Sequence, residues 1–111
     1  MSNRTLKISF DGVSPAEALM FSQDLEQRLR EGAPAVQIER EKTNPSQDFG
    51  ATLVLLFGTP VAIALAKAVS NYLARNSGAS ITITESGEVI GKNLDSKDAA
   101  RIAEAFGRKS R

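Results

Sequence analysis

Residues 49 to 66 carry no charged side chain, an uninterrupted 18-residue stretch in a chain of 111. A run of that kind must be buried, in a core or in a bilayer, because its apolar groups have no favourable place in water. Its length approaches the roughly 20 apolar residues that cross a membrane as a helix. Gly58-Thr59-Pro60 interrupts it at the middle. Thr59 can cap a helix and Pro60 suits a first helical turn, so the sequence predicts a new helix from about Pro60. That helix sets Val61, Leu65, Val69, Tyr72 and Leu73 inward and Lys67, Ser70 and Asn71 outward, an amphipathic pattern suited to packing on a sheet. The first half, Gly50 to Phe57, is ambiguous: its run Leu53 to Phe57 reads as either a buried strand or a short apolar helix, since periodicity cannot separate the two over so few residues. The reading adopted is the helix, which makes residues 50 to 75 a kinked helical pair.

The rest of the chain supplies strands and two more helices. Leu6, Ile8 and Phe10 alternate with Thr5, Lys7 and Ser9, the pattern of a strand buried on one face. Ser14-Pro15-Ala16-Glu17 spells a capping box, and Ala18, Phe21, Leu25 and Leu29 continue a helical stripe. Gly32 is expected as a left-handed cap before Pro34. Ala35 to Glu39 predicts a second strand, followed by a polar loop from Arg40 to Gln47 that is open to contacts. Ser80 to Glu85 and Glu88 to Gly91 predict a hairpin turned at Ser86-Gly87. Asp95 is expected to cap a last helix with Ala99, Ile102, Ala103 and Phe106 inward. The order is β-α-β-(α-α, kinked and apolar)-β-β-α. It predicts a single α+β domain over residues 1 to 111, a two-layer sandwich with a small four-stranded sheet and helices on one face.

Composition narrows the chemistry. The chain has no histidine and no cysteine. Histidine acid–base catalysis, cysteine nucleophiles, disulfides and the usual zinc and iron–sulfur ligand sets therefore have no residues to carry them. Fourteen basic and thirteen acidic side chains leave a net charge of +1, with no basic stripe for a nucleic acid. The carboxylate pairs Glu39/Glu41 and Glu85/Glu88 lie among polar residues, where hydration leaves them unsuited to acid–base work. Gly58-Thr59-Pro60 opens a helix but has one glycine, no lysine and a proline in place of an amide, so it is a poor phosphate cradle. No catalytic, cofactor or metal residue is expected.

The segments Asp48-Phe49-Gly50, Leu53 to Phe57, Gly58-Thr59-Pro60-Val61-Ala62, Asn71-Tyr72-Leu73-Ala74-Arg75, Ile81-Thr82-Ile83-Thr84 and Leu94 to Ile102 together resemble the effector-associated constant component family of bacterial conflict systems. The likeness extends over nearly the whole chain. Tyr72 stands where many members carry tryptophan. The resemblance implies a cytoplasmic, non-enzymatic adaptor that links a sensor or signalling NTPase to a peptidase-like effector through protein–protein contacts. It supplies no catalytic residue. The expected contact positions are the turn Phe57, Gly58, Thr59 and Pro60 and the polar sheet face at Thr82 and Thr84, with a sheet edge as a further option. A homo-oligomer is compatible with these surfaces. The alternative expectation is a membrane-acting effector that inserts residues 49 to 66 into a bilayer when triggered.

Overall fold

The structure, a computed structural model, describes residues 4–40, 52–76 and 78–107. The chain runs β1 (Arg4–Phe10), α1 (Pro15–Gly32), β2 (Gln37–Arg40), β3 (Leu53–Phe57), α2 (Thr59–Arg75), β4 (Ile81–Glu85), β5 (Glu88–Leu94) and α3 (Ala99–Gly107). The class is α+β, as the sequence predicts. The sheet has five strands in the order β2-β3-β1-β4-β5, every neighbouring pair antiparallel. The expected four-stranded sheet is thus corrected to five.

The added strand is β3, and the kinked helical pair does not form. Residues 53 to 57 pair with β1 on one side and β2 on the other. Leu53, Leu55 and Phe57 are buried and Val54 and Leu56 half-buried, which is the period of a strand. Two strand neighbours satisfy the backbone of this apolar segment from both sides, where a single helical turn and a half would leave most terminal groups unpaired. The uncharged run is therefore divided between an interior strand and a helix. No helix of the described residues is long and apolar enough to cross a membrane. Insertion of residues 49 to 66 would require β3 to leave its place between β1 and β2.

The helix starts follow local chemistry. Ser14 Oγ accepts from the Glu17 amide at 3.2 Å, and Glu17 Oε1 accepts from the Ser14 amide at 3.3 Å, completing the capping box. Helix α2 starts one residue earlier than expected. Gly58, not Thr59, is the N-cap and no side chain caps it, while Pro60 stands in the first turn as the sequence predicts. At the other end of α1, Gly32 is the last helical residue, outside the left-handed region, and Ala33 is the C-cap. A Cβ at Gly32 would meet Ala68 Cβ at 3.4 Å, an ordinary van der Waals contact, so α1 lies close to α2 here without requiring a glycine. Helix α3 begins four residues beyond Asp95. Asp95 Oδ1 accepts from the Lys97 amide at 2.9 Å and Asp98 Oδ2 from the Asp95 amide at 3.0 Å, a reciprocal turn ahead of the helix.

The β4–β5 hairpin turns where expected. Ser86 and Gly87 have φ of 54° and 82°, the paired positive values of a type I′ turn. Its return strand is longer than predicted, and two register shifts interrupt its pairing with β4.

One cluster holds the layers together. Leu6 and Ile8, Leu53 and Leu55, and Ile81 and Ile83 point from the central strands to Leu25 and Leu29 of α1, Leu65, Val69 and Leu73 of α2, and Ile102 and Phe106 of α3. Burying each of these side chains contributes about 1.5–3 kcal/mol. All three helices thus cover the same face of the sheet.

Candidate functional site

The opposite face of the sheet gathers the remaining side chains of the same strands. Register places Glu39 of β2 beside Val54 of β3, Val54 beside Lys7 of β1, Lys7 beside Thr84 of β4, and Thr84 beside Val89 of β5. One row therefore crosses all five strands. Gln37, Leu56 and Thr5 form a shorter row beside it, and Ser9 and Thr82 a third. Val54 and Leu56 are half-buried and Val89 is 53% exposed; none of the three belongs to the core cluster. Among the described residues, this face is a flat surface of mixed apolar and hydroxyl character. Thr82 is fixed on it by donating to Asp11 Oδ2 at 2.6 Å. Thr84 lies half-buried in the long row, between Lys7 and Val89.

The turn at the start of α2 is a separate place. Phe57 is only 3% exposed. Its ring lies 5.9 Å from the Phe106 ring, and the Arg4 guanidinium sits over it at 5.7 Å from its centre. The expectation of Phe57 as a contact residue is corrected on this ground: its alternation in β3 points it into the core. Thr59 and Pro60 are exposed and Gly58 half-buried. Since α2 packs on the inner face, the turn and the Thr82/Thr84 surface do not form one patch.

The charged clusters serve the fold. Arg4, 5% exposed, is the most deeply buried charge among the described residues. Its Nε and one terminal nitrogen donate to the two Glu85 carboxylate oxygens at 3.0 Å each, and the same nitrogen donates to the Ala105 carbonyl at 2.9 Å. The other terminal nitrogen donates to the Phe106 carbonyl. These carbonyls end α3, where helical partners run out and positive charge is favoured. One side chain thus joins β1, β4 and the end of α3. The sequence analysis assigns Arg4 no role and expects Glu85 to be hydrated; the pairing of Glu85 with Arg4 corrects the latter. The available signal was the inward parity that Arg4 shares with Leu6 and Ile8.

Arg40 plays a similar part at the other edge. It donates to Ser22 Oγ at 2.8 Å and to Glu26 Oε1 at 2.7 Å, and Arg30 donates to Glu26 Oε2 at 2.7 Å. Burial pushes the Glu26 carboxyl up, but the Arg30 hydrogen bond and the charges of Arg40 and Arg30 outweigh it and hold the carboxyl below its ordinary 4.5. Asp98 is also lowered, chiefly by the Asp95 amide, with burial opposing and Arg101 assisting. Tyr72 donates to the Phe21 carbonyl at 3.3 Å, and burial, reinforced by Asp24 and opposed by Arg28, pushes its hydroxyl up to about 12.

Arg40 belongs to β2, and the remainder of the expected contact loop, residues 41 to 47, lies outside the described residues, as do Glu41 and Phe49. Among the described residues, no group of three or more acidic side chains is arranged to hold a metal ion. No protein-family model, curated protein or solved structure matches the chain.

Proposed function

We propose that this chain is a non-enzymatic contact module that binds a partner protein across the open face of its sheet. Its role is that of an adaptor in a bacterial conflict system, joining a sensor or signalling NTPase to a peptidase-like effector in the cytoplasm, as the family resemblance implies. The observation that carries the contact reading is the five-strand row from Glu39 to Val89. It sets Val54 and Val89, with Leu56 in the row beside it, outside the core cluster on a surface no described helix covers. Apolar groups held on a rigid sheet, with Thr82 and Thr84 between them, give a partner area to bury and hydroxyls to bond. The exposed turn at Gly58, Thr59 and Pro60 is a second, smaller contact on the helical side.

The test is co-purification of the full chain with the products of adjacent genes, comparing wild type with Leu56→Asp and Thr84→Arg. The expected result is capture of a peptidase or NTPase by wild type and its loss in both variants, with thermal midpoints close to wild type. Capture undiminished by both variants contradicts the sheet-face reading. Absence of any partner, with turnover of a substrate by the isolated chain, contradicts the adaptor reading.

A further inference from the structure

Helices α1 and α2 come close at Gly32 and Ala68, and a polar cleft opens beside that approach. It consists of two hollows of about 260 Å³ each, which share Arg28, Glu31, Tyr72 and Asn76 as lining. Arg75 lines the one and Asp24 the other. Tyr72, 3% exposed, forms the base. Its hydroxyl donates to the Phe21 carbonyl, and the Asn76 side-chain amide donates to the Tyr72 carbonyl at 2.8 Å, so the base is held in place. The charges of Asp24 and Arg28 both act on the Tyr72 hydroxyl, in opposite directions, so both side chains lie near that base.

The walls carry charges that the protein leaves without partners. Arg4, Arg30, Arg40 and Arg101 each pair with a carboxylate. Arg28 and Arg75, the other described arginines, make no ion pair or side-chain hydrogen bond among the described residues, and both line this cleft. Asp24 stands four positions before Arg28 and Glu31 three after it, spacings at which helical ion pairs form, yet neither pairs with it. The cleft thus presents two guanidiniums and two carboxylates, all exposed and none neutralised by another.

That balance selects the ligand. A multiply charged anion would meet both carboxylates and the C-terminal end of α2, where negative charge is disfavoured. A bare cation would meet both arginines. A molecule with one charge of each sign finds a partner for each, and the guanidinium fork suits a carboxylate in particular. Each hollow falls below the roughly 300–1,000 Å³ of sites for drug-sized ligands, which fits a smaller molecule. We propose that the α1–α2 cleft binds a small zwitterion of the free amino-acid kind, its carboxylate on Arg28 and Arg75 and its ammonium on Asp24 and Glu31. The cleft lies on the helical side of the sheet, so this proposal and the sheet-face reading stand or fall separately.

Titration of the full isotope-labelled chain with each of the free L-amino acids, followed by NMR, tests the inference. At least one is expected to give saturable shifts centred on Arg28, Glu31, Asn71 and Arg75. The N-acetylated form of that amino acid lacks the ammonium and its amide form lacks the carboxylate; each should bind about tenfold more weakly or worse. Arg28→Gln and Arg75→Gln should each weaken binding about tenfold, while Arg101→Gln on α3 should leave it unchanged. The two cleft substitutions remove exposed side chains without partners in the fold, so the remaining signals should keep their positions. No saturable shift from any free amino acid overturns the proposal, as does binding indifferent to both cleft substitutions. Equal binding of the N-acetylated form would mean a plain carboxylate site and overturns the zwitterion assignment.

Discussion

Leu55 and Leu56 are adjacent, identical in chemistry and in the same strand, yet Leu55 is 0% exposed within the core and Leu56 is half-buried on the open side. The two faces of the sheet differ throughout in this way. Leu6, Ile8, Leu53, Ile81 and Ile83 are sealed beneath three helices, while Thr5, Lys7, Val54, Thr82 and Thr84 alternate with them on the other side. The place of each residue is thus set by strand parity, which decides whether an apolar side chain joins the core or stays outside it. The inner face accounts for folding; the outer face is where binding is expected.

The largest effect should come from truncating the inner face. Leu55→Ala should cost about 2–5 kcal/mol in chemical denaturation, while Leu56→Ala should cost less than about 1 kcal/mol. Equal costs would break the contrast between the faces. Arg4→Ala should follow, at about 3 kcal/mol, because it strands the Glu85 carboxylate and the last carbonyls of α3. A loss as small as that of a surface ion pair would show that this inner-face charge is not part of the core.

Two pH dependences sharpen the same contrast, since both belong to groups on the covered side. Tyr72 keeps its proton to about 12 in the fold, against 10.0 normally. Between pH 10 and 12 the unfolded chain therefore releases a proton that the folded chain retains, and stability falls across that window. Tyr72→Phe should lack this part of the alkaline decline. Glu26 has the opposite sign. Its lowered carboxyl contributes stability that is present above 4.5 and is lost as pH falls through the folded value. Glu26→Gln should flatten that part of the acid limb, the smallest effect of the set, read from denaturation midpoints between pH 5 and 2.

The sequence made much of this fold legible wherever a signal was local. The capping box at Ser14 and Glu17, the alternation of β1 and β4 and the paired turn residues Ser86 and Gly87 each fix their structure within a few positions. Leu53 to Phe57 were misread because every residue in that run is apolar. No polar position marks the outer face, and the decision rests on β1 and β2, partners distant in sequence. Arg4 was hidden for a related reason. Its importance comes from Glu85, 81 residues away, and from the end of α3, 102 residues away. The outer sheet face was legible in part: the alternation puts Thr82 and Thr84 there, while Val54 and Leu56 became visible on it only once β3 was a strand. Phe57 was drawn to the surface by its neighbours in the turn, and the parity of β3 turns it inward.

Methyl-labelled NMR of the full chain, titrated with whatever partner the co-purification test captures, addresses the division of labour between the faces directly. The account predicts that signals from Val54, Leu56, Thr84 and Val89 shift on addition of partner while those of Leu55 and Ile83 stay in place. Shifts confined to the helical side, with the four outer-face signals unmoved, would contradict it.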